Sequence, residues 1–151
     1  MATSNKGIMQ TNDEAQIRNL LEDWRAAICA RDLDRLIQHY APDMFFFDAV
    51  PPYQHRGAAA YRRTWEVMFQ QLPPRIGVEF HDVEISVGGD LAVMHCLTRI
   101  INEDTKEAAT AGWVRVTVCH ERQQGTWRVI HEHVSVPFDP ATERAAFIHQ
   151  P

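Results

Sequence analysis

Four strand-like runs follow one another over residues 76–136, and their spacing limits the fold more than any other feature of the chain. IGVEFHDVEISV (76–87), LAVMHCLTRII (91–101), GWVRVTVCHER (112–122) and TWRVIHEHVSV (126–136) are rich in β-branched and aromatic residues. Gly88-Gly89-Asp90 and Gln124-Gly125 separate neighbours with residues that tight hairpins favour, whereas NEDTKEAAT makes a longer polar connection. Runs joined in this way pair antiparallel with the next in sequence. The second half of the chain is therefore expected to be a meander.

The first half has helical periodicity. Over residues 12–30, Ile17, Leu20, Leu21, Trp24, Ala27 and Ile28 fall on one broad apolar face, with Asn12 or Asp13 as a plausible N-cap. DLDRLIQHY makes a second helix capped by Asp32, ended by Ala41-Pro42-Asp43 because proline disfavours helix at the residue before it. MFFFDAV reads as a short buried strand stopped by Pro51-Pro52-Tyr53. HRGAAAYRRTWEVMFQQL is a third helix, closed by Pro73 and Pro74. Helices first and a meander after make an α+β architecture. A long first helix lying across a curved sheet would leave a cavity between the two.

The chain has 151 residues, enough for one domain with a substantial core. A net charge of −5 argues against a nucleic-acid surface, which needs a basic patch. No apolar run reaches membrane-span length, so a membrane partner is not expected. The start, MATSNKGIMQTNDEAQ, lacks the apolar centre of a signal peptide and reads as a flexible tail over residues 1–11. Cys29, Cys96 and Cys119 are odd in number and widely spaced, which fits small buried residues of a cytoplasmic protein better than a disulfide framework. There is no phosphate loop and no dinucleotide fingerprint, so no cofactor is implied.

Three stretches carry a family resemblance. ARDLDRLIQHYAPDMFFFDAVPPYQHRGAAAYRRTW is similar to the helix, strand and helix of ketosteroid isomerases and SnoaL-like cyclases. RVT at 115–117 followed by a turn, and GTWRVIHEHVSVPF, resemble the closing strands of SnoaL-like proteins. Together they resemble the nuclear transport factor 2-like superfamily over residues 12–138, leaving 139–151 as a C-terminal extension. The resemblance implies a cone-shaped α+β barrel, with three N-terminal helices packed on a strongly curved, largely antiparallel sheet. It also implies a SnoaL-like small-molecule protein, an isomerase, cyclase or hydratase using a cavity carboxylate on an apolar carbonyl compound. The superfamily equally contains binding proteins and association domains, so that alternative stays open.

In the isomerases the general base is an aspartate at the end of the first strand, and Asp48 falls at the matching place. A carboxylate walled by aromatics is poorly solvated, which raises its pKa towards a range useful for proton abstraction. Asp48 could equally cap the turn that holds Pro51 and Pro52. The isomerases' two oxyanion donors are not matched. Trp24 replaces the tyrosine of the first helix, and the aspartate of the penultimate strand falls among Val114, Val116 and Val118. A valine donates nothing, and losing one such donor costs roughly 3–4 kcal/mol of transition-state stabilisation, which argues against steroid isomerisation.

Alternation splits the last strand into two sets. Val129, His131, His133 and Ser135 share one face; Ile130, Glu132, Val134 and Val136 share the other, which matches the family's cavity side. A three-residue Gln123-Gln124-Gly125 loop pairs Val118 with Ile130, Val116 with Glu132 and Arg115 with His133. A two-residue Gln124-Gly125 loop would shift the register by one and place Arg115 on the face of Glu132. The first register groups the valines with Ile130 and Val134 and is preferred.

Glu132 then becomes a second, weaker cavity carboxylate beside Asp48. The expected ligand contacts come from Trp24 of the first helix, Phe46 and Tyr53 near Asp48, and Tyr61, Trp65 and Met68 of the third helix. On the strands, Val116, Val118, Ile130 and Val134 complete the wall. Trp113, Arg115, Thr117, His131, His133 and Ser135 fall on the outer sheet face, the dimer surface in many relatives, which makes a second copy the expected partner. His131 and His133, joined by His95 or His120, could hold a metal. No Asp or Cys sits at ligand spacing nearby, so no metal is assigned. Ser135 with His133 lacks a nucleophile elbow.

Overall fold

The computed structural model describes residues 3–151, with side chains from Asn12 onward. Three helices precede the meander: α1 (Thr3–Ala30), α2 (Leu33–Ile37) and α3 (Ala58–Gln71). Strands β1 (Tyr40–Phe47) and β2 (Gln54–Arg56) lie between α2 and α3. After α3 come β3 (Ile76–Gly88), β4 (Leu91–Asn102), β5 (Val114–Gln123) and β6 (Thr126–Ser135), then a small hairpin of β7 (Phe138–Asp139) and β8 (Arg144–Ala145). Among the described residues no helix is long and apolar enough to cross a membrane.

The six larger strands form one curved sheet in the order β2-β1-β6-β5-β4-β3. β1 runs parallel to β6, and every other pair is antiparallel. β2 and β3 are free edges, so the sheet does not close into the barrel that the sequence suggested. β3 carries a bulge between His81 and Glu84, with Asp82 at a φ of 52°; extra residues of this kind bend a strand and increase its twist.

Local chemistry explains the element ends. The Asp32 carboxylate accepts from the Arg35 backbone N–H at 3.0 Å and caps α2, as expected. Arg31 adopts a φ of 55° just past α1, and its guanidinium donates to the carbonyls of Phe69, Leu72 and Pro73 at the end of α3. A cation there satisfies carbonyls that have no partner within the helix and ties α1 to α3. Gly57 starts α3 at a φ of 90°, where a Cβ would also approach the Pro42 carbonyl oxygen to 3.2 Å.

Four expectations change. α1 begins upstream of Asn12, so neither Asn12 nor Asp13 caps it; Asp13 is buried and paired with Arg122 at 2.8 Å. The expected tail over residues 1–11 falls partly outside the described residues, and no side chain within it is described. α2 stops at Ile37, and the chain is already extended at Tyr40, so Pro42 lies within β1 instead of ending a helix. Cys29 is exposed rather than buried, while Cys96 is buried.

The fourth change is the register of β5 and β6. The turn is the two-residue Gln124-Gly125 loop, with both residues at positive φ, as a hairpin of that length requires. A bulge then inserts Ile130 opposite the step from Cys119 to His120. The extra residue restores the faces that the short turn alone would have exchanged. Val118 pairs with Glu132, Val116 with Val134, Thr117 with His133 and Arg115 with Ser135. The expected faces are observed with different partners.

The inner face of the sheet and the helices share one core. Ile17 and Ile28 of α1, Leu36 of α2 and Tyr61 of α3 meet Met44 of β1, all essentially inaccessible. Truncating any one of these aliphatic side chains to alanine should cost about 2–5 kcal/mol.

Candidate active site

A cavity of about 360 Å3 opens between the helices and the inner face of the sheet. That lies at the small end of the range for enclosed ligand sites, roughly the size of one or two fused rings. Its centre is β6, the strand between β1 and β5, where Glu132 pairs with Phe46 on one side and Val118 on the other. Alternation along β1 turns Met44, Phe46 and Asp48 inward and leaves Phe45 and Phe47 outside.

Glu132 is 6% exposed and bonded to two tyrosines. The Tyr40 hydroxyl, from the first residue of β1, donates to its Oε2 at 2.8 Å; the Tyr61 hydroxyl, from the first turn of α3, approaches Oε1 at 3.3 Å. The two hydroxyls are 3.0 Å apart, their rings are stacked at 4.5 Å, and the Trp24 indole N–H donates to Tyr61 at 3.1 Å. Burial pushes the Glu132 carboxyl up to about 7. The tyrosine donors pull the other way, and the charge of Asp48 adds to the rise. Burial and the neighbouring Glu132 raise both tyrosines well above their ordinary range, so they stay protonated donors.

The proton count of this cluster sets what it can do. When Glu132 is ionised, both tyrosine protons are held by its oxygens. When Glu132 is protonated, its two oxygens need accept only one of the two tyrosine protons, and one of the three O–H groups can turn towards a ligand. A carboxylic acid beside tyrosine hydroxyls is a donor set suited to a carbonyl oxygen that gains negative charge.

Asp48 faces the same cavity with its side chain only 9% exposed. It also caps the turn, because Oδ1 accepts from the Val50 N–H at 3.3 Å. Burial raises its pKa, opposed by the backbone N–H groups of Val50 and Ala49 and by His55, whose Nε2 lies 4.0 Å from Oδ2. Asp48 stands two residues beyond Phe46, the partner of Glu132. Strand spacing and rise therefore put the two carboxyl-bearing residues on the order of 8 Å apart, which leaves room for a ligand between them.

Of the other residues expected to meet a ligand, Trp24, Phe46, Tyr61, Trp65 and Met68 line the cavity, as do Val116, Val118 and Val134. Tyr53 does not: it sits at a φ of 71° in the turn and is 69% exposed. Ile130 does not either, because the bulge displaces it from the cavity-facing series. On the outer face, Arg115, Thr117 and His133 are exposed and His131 and Ser135 half-buried. His131 Nδ1 is 2.8 Å from the Phe45 carbonyl, and Phe47 packs edge-on against His131 and His133. Trp113 is the exception. It is 5% exposed within its own chain, under the Arg99 guanidinium at 4.8 Å, and its backbone N–H donates to the Ile148 carbonyl of the returning C-terminal segment. A partner copy cannot reach it there.

Among the cavity residues outside the expected ligand contacts are Tyr40 and His120. Tyr40 falls at the end of a helical pattern in the sequence, which gives its side chain no facing. His120 continues the inward series of Val116 and Val118, and its sequence position suggests only a third metal ligand. Among the described residues no group of three or more His, Cys, Asp or Glu side chains is placed to hold a metal ion.

Comparison with known proteins fits this architecture. A nuclear transport factor 2-like protein of unknown function from Pseudomonas putida KT2440 superimposes with a TM-score of 0.84 at 38% identity, covering 93% of this chain and 98% of that one. A protein from Streptomyces avermitilis assigned as a dehydratase of the same superfamily gives a TM-score of 0.69 at 19% identity, over 83% of this chain and 97% of its own. One from Shewanella frigidimarina assigned as a ketosteroid isomerase gives 0.62 at 16% identity, over 78% and 92%. These two similarities bear on the fold alone. No curated protein matches the sequence. The profile of the SnoaL-like domain matches residues 17–139, and the chain belongs to that family.

Proposed function

We propose that the protein binds an apolar carbonyl compound in the cavity and moves a proton on it, in an isomerisation, cyclisation or hydration–dehydration step. The observation that carries this reading is Glu132, an enclosed carboxyl bonded by two tyrosine hydroxyls and facing a cavity that also contains Asp48; its burial favours the protonated form. Paired acids in unlike environments divide acid and base roles. Asp48, the less enclosed of the two, is the base. It takes a proton from the carbon next to the carbonyl, and the bonding pair moves onto the carbonyl oxygen. Protonated Glu132, with Tyr40 and Tyr61, supplies the donors for that oxygen. These groups fill the part of the isomerases' unmatched oxyanion donors, from other elements of the fold.

Self-association belongs to the same proposal. Phe47, Leu91 and Val93 are exposed on the outer side of the sheet at 37%, 54% and 42%. Together with His133 and Arg115 they offer a second copy a partly apolar face.

The test is exchange of the α-hydrogens of 2-tetralone in D2O, followed by proton NMR with and without protein. The wild type should accelerate exchange. Asp48→Asn should reduce that acceleration by about 10²–10⁴-fold, and Tyr40→Phe should reduce it with little change in binding. Exchange at the buffer rate by protein shown to bind the ketone would overturn the catalytic reading and leave a binding protein.

A further inference from the structure

His120 is 3% exposed, lines the cavity from β5 and makes no hydrogen bond; its Nδ1 is enclosed and without a partner, which leaves Nε2 as the ring nitrogen open to a ligand. Its neighbours across the strands are Ala92 on β4 and Val129 on β6, neither of which calls for an imidazole. A buried polar group without a partner destabilises a fold, so an unpartnered one beside an open cavity needs a reason. Burial also pushes its pKa down to about 4, so the ring is neutral and offers one donor and one acceptor. The Glu132 cluster lies diagonally from it on the adjacent strand, and the wall between them is apolar, from Val118 and Val129.

The charge around the cavity narrows the ligand further. Arg99 lines it but is bonded to Glu79 and stacked on Trp113, and His39 is bonded to Asp23. Among the described lining residues no other lysine or arginine is present, while Asp48 and Glu132 both face in. An anion would meet two carboxyls and no uncommitted cation.

We infer that the cavity is shaped for an uncharged, two-ended ligand, a ring compound that presents one oxygen to the Glu132–Tyr40–Tyr61 cluster and a second, hydroxyl-type group to His120. This rests on the reading of the cavity as a ligand site and adds the substrate class: a hydroxylated cyclic ketone, not a carboxylate or phosphate. His120 then selects the ligand by its second oxygen and takes no proton in the reaction.

Calorimetric titration of three probes tests it: 1-tetralone, 6-hydroxy-1-tetralone and the anion 6-hydroxy-1-naphthoate. The wild type should bind the hydroxyketone about tenfold tighter than the plain ketone, the worth of one net hydrogen bond at the upper end of its range. That preference should vanish in His120→Phe, return in part in His120→Gln, and persist in Glu132→Gln. His120→Phe should fold at least as well as the wild type, because it removes an unpartnered polar group. Equal affinities of the two ketones for the wild type, or a preference that survives His120→Phe, would overturn the two-ended inference while leaving the cavity a ligand site. Tighter binding of the naphthoate than of the hydroxyketone would overturn the uncharged class. No binding of any probe at about 1 mM would overturn the ligand-site reading, and the inference with it.

Discussion

Glu132→Gln and His120→Phe should change the pH dependence of stability in opposite directions. Glu132 has an ordinary pKa of 4.5 and one of about 7 when folded, so the folded protein holds a proton that the unfolded chain releases between those values. Stability therefore falls as pH rises through that window, by about 1.4 kcal/mol per unit and about 3 kcal/mol in all. His120 works the other way. Its ordinary value is 6.5 and its folded value about 4, so the unfolded chain takes up a proton that the folded protein refuses. Its contribution is present above pH 6.5 and is lost as pH falls towards 4, again by about 3 kcal/mol. Between pH 4.5 and 6.5 the two slopes oppose each other and nearly cancel. Urea denaturation at half-unit steps from pH 4.5 to 8 would expose them. Relative to wild type, Glu132→Gln should gain stability as pH rises to 7, and His120→Phe should gain it as pH falls below 6.5. A Glu132→Gln curve parallel to wild type would refute the desolvated-carboxyl argument. A parallel His120→Phe curve would refute the enclosed neutral imidazole.

Three further outcomes follow from particular contacts. Asp48→Asn, nearly isosteric, should leave the fold intact with a melting temperature at or above wild type, because a poorly solvated charge is removed; a clear loss of stability by scanning calorimetry would mean that the turn needs the carboxylate. Gly112→Ala should cost on the order of 1–3 kcal/mol, because Gly112 has a φ of 139° and an added Cβ would lie 2.7 Å from the Ile148 carbonyl oxygen. Limited proteolysis should then cut the C-terminal segment faster, and unchanged cleavage would count against the bond from Trp113 as its anchor. Val93→Lys should give a monomer by sedimentation if the exposed outer face joins two copies, whereas a monomeric wild type at micromolar concentration would contradict that association.

Much of the fold was legible because its signals are local. Gly88-Gly89-Asp90 and Gln124-Gly125 fixed the hairpins, Asp32 fixed a cap, and the four apolar runs fixed the strands. The bulge at Ile130 was not legible. Turn length and face alternation gave conflicting registers, and an inserted residue resolves the conflict without leaving a mark in composition. Tyr40 was hidden by the helical pattern that runs up to it, although it shares the inward parity of Met44, Phe46 and Asp48. Trp113 has the outward parity of Arg115, but Arg99 and His81 lie against its ring and its backbone pairs with Ile148, long-range contacts that alternation cannot show. Asp48 was found through the resemblance. The stronger perturbation of Glu132 comes from burial beneath elements distant in sequence, and the two tyrosines that bond it lie 92 and 71 residues away.

The most direct measurement is the titration of the Glu132 carboxyl itself. With glutamate labelled at the δ carbon, its carbon resonance can be assigned as the one lost in Glu132→Gln and followed from pH 4 to 9. The account predicts a midpoint near 7, moving towards the ordinary range when Trp24 or Phe46 is replaced by a smaller residue that admits water. A midpoint at or below 4.5 would mean that the carboxylate is well solvated or fully compensated by its tyrosines, and the acid–base reading of the cavity would fail.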